Sequence, residues 1–164
     1  MAFICTLDSD HPLVLTQINS EAGQGETIIR IPVGVCDDSD AVFSIFVCLA
    51  TVAGYGPMRH ELVFHVVKAA NGDELFFSDG LETRMTITDR IARQRILQVI
   101  CLAVDKLIDE VAPVEVEMIT HEANLPIKAL HKYRAIGGVF VRRGYICAHP
   151  DPYHGRHIWM FTQP

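Results

Sequence analysis

The sequence predicts an α/β protein with a mixed, mostly antiparallel sheet and crossover helices. Short β-branched segments bounded by Gly or Asn alternate with longer segments whose apolar residues recur at helical spacing. Their order reads β, α, β, β, β, α, β, α, β, β, the order of a layered α/β fold. With 164 residues, 49% of them hydrophobic, and no linker or repeat, we expect one domain spanning 1–164.

The first part of the chain predicts a strand followed by a helix. Residues 26–35 are rich in Ile, Val and Thr and bounded by Gly, which is typical of a strand. Asp37–Asp40 offers helix N-cap residues, and the apolar run 41–55 predicts a helix ending near Gly54 or Gly56. An extra strand or turn is expected within 2–18.

The middle of the chain predicts a hairpin. Residues 59–69 form a strand with alternating apolar side chains, and Asn71-Gly72 is a turn signal leading into a second strand at 74–78. A shorter strand is expected at 83–88.

Two further helices follow. Residues 89–111 carry the clearest helical stripe, and Pro113 ends it. Alternation predicts a strand at 114–120. Pro126 suits a first helical turn, so a helix is expected from there to about Ile136, before two glycines.

The last predicted element is a hairpin rich in histidine. Strands at 139–149 and 156–162 flank a loop explained by turn residues, so His149 and His157 face each other and His154 lies at the tip. Three imidazoles can ligate zinc, but this spacing matches no established metal motif and we expect no metal. The hairpin is expected to form a substrate rim or subunit contact.

Cysteine usage and hydropathy indicate a cytoplasmic protein. The five cysteines are widely spaced with no Cys-x-x-Cys pair, which argues against disulfides and a thiolate zinc site. Cys48 and Cys101 lie in apolar patterns predicted to be helical and are expected to be core residues. The N-terminus lacks signal-peptide character, and the uncharged run 41–58 contains Ser, Thr, Gly and Pro, so it is not expected to span a membrane.

Charge is unevenly distributed. The net charge is −6, yet residues 121–164 hold 6 basic and only 2 acidic side chains. This basic end predicts either a local anion site or merely an uneven surface. Nucleic-acid binding is not expected, because no docking motif accompanies the basic residues. The five that could contact nucleic acid are Lys128, Lys132, Arg134, Arg142 and Arg143.

Residues 124–140 resemble the second acyl-CoA segment of the GNAT N-acetyltransferase superfamily. Ala129, Tyr133 and Gly137 follow one another at intervals of four, as in that family. Asn124 precedes Ala129 by five where three is usual, and Phe140 follows Gly137 by three rather than one. The order of elements is also similar, so the resemblance implies a GNAT-like fold over about 26–162.

The family's glycine-rich pyrophosphate loop is missing. It would precede the long central helix, where free backbone N–H groups and the helix dipole favour phosphate. The corresponding stretch holds Arg90, Arg93 and Arg95, and no glycine occurs between Gly80 and Gly137. These arginines either bind an anion through their side chains or are solvated and paired with nearby acids.

The resemblance implies transfer of an acyl group from acetyl-CoA, or another acyl-CoA, to a small-molecule amine or protein lysine. By position Tyr133 would be the general acid. The family motif does not supply the base, and the sequence offers Glu117, Glu61 and His65 without a preference among them. A homodimer is possible. The alternative function is a non-catalytic GNAT-fold module that binds a ligand or protein. The implied cofactor contacts are Arg90, Arg93, Arg95, Asn124 and Lys132.

Overall fold

A computed structural model describes residues 2–7, 19–22, 25–78 and 80–164. The described residues form a mixed sheet of nine strands, with three α-helices. The sheet order is β1-β3-β4-β5-β7-β9-β8, with β2 also paired to β3 and β6 to β5. The strands are β1 (Phe3–Cys5), β2 (Asn19–Ala22), β3 (Glu26–Cys36), β4 (Val42–Thr51), β5 (Arg59–Ala70), β6 (Asp73–Ser78), β7 (Glu115–Ile119), β8 (Ile146–Ala148) and β9 (Ile158–Thr162). The helices are α1 (Leu81–Thr86), α2 (Arg90–Val111) and α3 (His131–Arg142).

The predicted helix at 41–55 is wrong, because this run forms the central strand β4. It pairs antiparallel with β3 on one side and with β5 on the other. Phe43, Ile45, Val47 and Leu49 alternate into the core, while Cys48 is buried on the opposite face. A strand whose two faces are both largely covered reads as a continuous apolar run and has no visible period of two. The acidic residues 37–40 are the β3–β4 turn, not a helix cap.

The α/β class with a mostly antiparallel sheet is confirmed. Among the described strands only β5 and β7 pair in parallel, and the crossover between them contains α2. β9 then pairs antiparallel with β7 and β8. The strands predicted at 26–35, 59–69, 74–78, 114–120 and 156–162 are present, as is the helix predicted at 89–111.

Three further boundaries differ from prediction. Residues 83–88 lie mostly in the short helix α1 rather than a strand, because β6 already occupies that edge of β5. Helix α3 continues past Gly137 and Gly138 to Arg142, so the strand predicted at 139–149 shrinks to β8. At Gly137 a Cβ atom would lie 3.2 Å from a ring carbon of Phe161, so this glycine permits close packing against β9.

The core lies on one face of the sheet. Alternate residues of β3, β4, β5, β7 and β9 form a single buried cluster with residues of α2 and α3. The helices are joined by Arg143, whose guanidinium donates to both carboxylate oxygens of Asp105 and to Asp109. On the opposite face Ile28, Phe46 and Val63 are half-buried. The segment 8–18, which includes most of the extra element expected at 2–18, lies outside the described residues; β1 supplies a strand at its start.

Candidate functional site

The terminal hairpin brings two of its three histidines together. His149 follows β8 and His157 precedes β9, and Nε2 of His149 lies 3.1 Å from Nδ1 of His157. One ring therefore donates an N–H to the other. His154 lies at the exposed tip with a φ of 49°, its ring edge-on to Tyr153. The facing pair predicted from the sequence is present, and the tip histidine lies outside it.

The hairpin is anchored to the loop that follows β7. The backbone N–H of Thr120 donates to the carbonyl of His157 at 3.0 Å, and the His157 N–H donates to the Thr120 hydroxyl at 3.0 Å. Thr120 is fully buried. Nearer the tip, the Asn124 N–H donates to the carbonyl of Gly155 at 2.8 Å. These hydrogen bonds fix the position of the backbone at and near His157.

Five rings form a continuous line that we call the aromatic row. His149 stacks on Trp159 with centroids 4.5 Å apart, and Trp159 stacks on Tyr133 at 5.3 Å. Phe64 lies 5.6 Å from Tyr133, and His121 meets Phe64 edge-on at 5.9 Å. The three central rings are buried, so solvent reaches the row through its histidine ends.

The aromatic row lies where the parallel pairing between β5 and β7 ends. Their parallel register covers only Arg59–Glu61 of β5, and β5 pairs with β6 from Val66 onward. Residues 62–65 belong to neither register. Phe64 is central in this stretch and packs on Tyr133, so the protein's own rings fill the space beside the parting strands.

The predicted acid and base lie on opposite faces of the sheet. Tyr133 is 1% exposed in the core cluster, together with Val116 and Met118 of β7. Glu117 lies between those two residues, and alternation along a strand directs its side chain to the other face. There it pairs with Arg59 at 2.7 Å. Glu61 shares a register position with Glu117, and His65 follows on the same face of β5.

Two of the three arginines at the start of α2 donate hydrogen bonds to backbone carbonyls of the protein. Arg93 Nη1 donates to the carbonyls of Ile87 at 2.8 Å and Thr88 at 2.6 Å, and Arg95 Nη1 donates to that of Leu7 at 3.2 Å. Arg90 is exposed. Arg93 thus joins the helix to the segment before it, and Arg95 joins the helix to the N-terminal segment.

Asp89 occupies the N-terminus of α2. Its Oδ1 accepts a hydrogen bond from Ile91 N–H at 3.0 Å, and its Oδ2 accepts one from Ala92 N–H at 3.3 Å. A carboxylate here satisfies unpaired amides and complements the helix dipole. The same amides are therefore not free to hold a phosphate.

The two remaining predicted cofactor contacts are Asn124 and Lys132, and Lys132 lies against the aromatic row. Asn124 is exposed in the loop before α3, with a φ of 58°. Lys132 Nζ lies 5.1 Å from the ring centroid of Tyr133 and 5.8 Å from that of Phe64, in cation–π range. Trp159, Phe64 and Thr120 were missed as site residues, and no local sequence signal marks them, because their proximity arises from packing.

Burial and neighbouring charge affect His149. Its pKa is lowered from the usual value, first by partial burial and then by the charges of His157 and Arg134. These effects favour the neutral form of the ring. Elsewhere, Cys36, Asp37 and Asp38 place possible metal-ligand atoms within 4.8 Å of one another, with Cys36 Sγ donating to Asp38 at 2.8 Å and both acids exposed.

Comparison with known protein-family models, curated proteins and solved structures finds no match to this chain. Among the helices of the described segments, none has the length and apolar character needed to cross a membrane.

Proposed function

We propose that this protein is a binding module with a GNAT-like layout that does not transfer acyl groups. The observation that carries the proposal is the Asp89 cap. A pyrophosphate at the start of α2 would need the amides of Ile91 and Ala92, which already donate to Asp89, and it would meet the negative charge of that carboxylate. Arg93 is engaged with backbone carbonyls and is poorly placed to replace the glycine loop.

The placement of the reactive groups supports the same proposal. General acid–base catalysis needs both groups within hydrogen-bond reach of one substrate. Tyr133 is enclosed by Trp159 and Phe64 on one face of the sheet, and Glu117 is ion-paired on the other. The proposed contact surface is instead the terminal hairpin, where Tyr153 is 68% exposed and His149 and His154 are also exposed. Tyrosine is enriched at such contacts.

One observation favours the alternative, an N-acyltransferase using acetyl-CoA or another acyl-CoA on a small-molecule amine or protein lysine. Tyr133, the acid implied by the GNAT resemblance, lies beside the parting of β5 and β7 with Lys132 over its ring. In this alternative the rings of the aromatic row would have to move apart to admit substrate. A homodimer stays a prediction under both functions.

Calorimetric titration with acetyl-CoA and with free CoA distinguishes the two functions. The module is expected to give no heat with either ligand up to millimolar concentration. Micromolar binding of either ligand to the native protein would overturn the proposal, and its loss in an Arg93→Glu/Arg95→Glu variant would assign the cofactor site to these arginines. Far-ultraviolet circular dichroism of each variant must match that of the native protein, since Arg93 and Arg95 bond backbone carbonyls. An amine screen with Tyr133→Phe would then follow.

A further inference from the structure

The histidine pair of the terminal hairpin has the geometry of a chelate. Nε2 of His149 and Nδ1 of His157 belong to different strand ends and are 3.1 Å apart. Two imidazole nitrogens bound to one zinc ion, each about 2.0–2.1 Å from it, and separated by this distance would subtend roughly 100° at the metal. That angle lies between octahedral and tetrahedral values, so both common geometries are accessible.

The geometry points to a divalent transition-metal site in which His149 and His157 bind one Zn²⁺ or Ni²⁺ ion, with water completing the coordination shell. Imidazole suits these ions, and an incomplete protein shell leaves positions open. This site lies on the hairpin proposed above as the contact surface, and its test does not depend on that contact or on the acyl-CoA question.

The His149 ring and the His157 backbone are held before a metal arrives. Stacking on Trp159, with an interplanar angle of 12°, orients the His149 ring, and the reciprocal bonds to Thr120 fix the backbone of His157. Oriented ligands lose less conformational freedom on binding, which favours the metal complex. The metal takes the place of the N–H shared by the two rings: a neutral donor ring moves that proton to its other nitrogen, and a proton is released to solvent only from a ring that carried two.

The local charge opposes a bound cation. Arg134 lies close enough to His149 to act on it electrostatically, so its positive charge repels a metal ion. Arg156 adds charge in the same loop, opposed by Asp151. Removal of Arg134 should therefore strengthen metal binding, which makes Arg134→Gln a second test with the opposite sign.

Other possible metal ligands in the protein can be distinguished from the histidine pair by substitution. Cys36, Asp37 and Asp38 form another group of possible ligand atoms, and Cys147 on β8 is an exposed thiol. An Asp38→Asn variant removes a ligand from the first group, and Cys147→Ser removes the thiol. His154→Gln removes a histidine of the same loop that lies outside the pair.

The test is calorimetric titration of the metal-free full chain with Zn²⁺ and Ni²⁺ at pH 7.5, with ring-nitrogen NMR. We expect one ion per chain at micromolar affinity, at least about tenfold weaker in His149→Gln and in His157→Gln. His154→Gln, Asp38→Asn and Cys147→Ser should retain the native affinity, and Arg134→Gln should bind more tightly. The NMR shifts should fall on His149 Nε2 and His157 Nδ1.

Two results would overturn the site. One is the absence of binding below millimolar Zn²⁺ and Ni²⁺ in the native protein. The other is unchanged affinity in the His149→Gln/His157→Gln double variant, which would assign the ion to another group. Because two separate histidines and Arg134 are tested with opposite expected signs, misfolding of one variant cannot imitate the full pattern.

Discussion

Arg59 and Glu117 join the two parallel strands of the sheet through an ion pair, with Nη2 2.7 Å from Oε2. Their side chains are 23% and 15% exposed, so solvent screens the pair only in part. Arg59 also lies over the ring of Tyr55 at 4.5 Å, and its Nε is buried without a hydrogen-bond partner in the described structure. The carboxylate of Glu117 therefore offsets much of the free-energy cost of burying the Arg59 guanidinium.

Replacement of Glu117 by Gln should lower the free energy of unfolding by about 2 kcal/mol, because a largely buried guanidinium loses its charged acceptor. Urea unfolding monitored by circular dichroism measures this. Glu115→Gln, which removes the same charge from the same strand, should cost under about 0.5 kcal/mol. Equal effects of the two variants would show that the general charge balance, rather than the specific pair, stabilises the strands.

Replacement of Asp89 by Ala should cost about 1 kcal/mol, the typical value of an N-cap. Asp89→Asn keeps a cap acceptor and should cost less, because mainly the favourable charge at the helix dipole is lost. Both are measured by urea unfolding of the full chain. If Asp89→Ala leaves stability unchanged, the bonds to Ile91 and Ala92 do not hold the start of α2.

His60 predicts a dependence of stability on pH. Its side chain is 7% exposed, its Nδ1 has no hydrogen-bond partner in the described structure, and burial lowers its pKa. The unfolded chain therefore binds a proton first as the pH falls below about 6.5, the usual histidine pKa. The contribution of neutral His60 is complete above that pH and is lost as the pH falls toward the folded-state pKa.

Replacement of His60 by Leu should therefore flatten the decline in the free energy of unfolding between pH 7 and pH 5. Urea unfolding at several pH values measures the slope, with the exposed His154→Leu as the matched control. A native-like slope in His60→Leu would assign the pH dependence to other groups, including His149.

Gly155 at the hairpin tip has a φ of 77°, and an added Cβ would collide with the side chain of Asn124. Gly155→Ala should cost the left-handed backbone penalty of about 1–2 kcal/mol plus this contact. Gly144 has a φ of 89° and open space around its Cα, so Gly144→Ala should cost only the backbone part. Urea unfolding that ranks the two variants equally would contradict the close packing of the hairpin tip on the 120–124 loop.

Local signals predicted most elements correctly because their physical causes are local. The Asn71-Gly72 turn has both residues at positive φ, and Asp89 caps the helix predicted from 89. The facing of His149 and His157 also followed from a loop between adjacent strands. In contrast, Gly137 and Gly138 resembled a helix end in the sequence. The role of Gly137 in packing depends on Phe161, a residue distant in sequence, so no local signal revealed it.

The amino-acid sequence by itself determined the α/β class, the long amphipathic helix, the turns and the absence of a glycine loop before α2. Tertiary structure alone decided that 42–51 is a strand, because an apolar run takes the conformation that its neighbours on both sides permit. It also decided that Tyr133 and Glu117 lie on opposite faces and that five rings share one row. Such relationships depend on contacts between residues far apart in sequence, which local propensity does not encode.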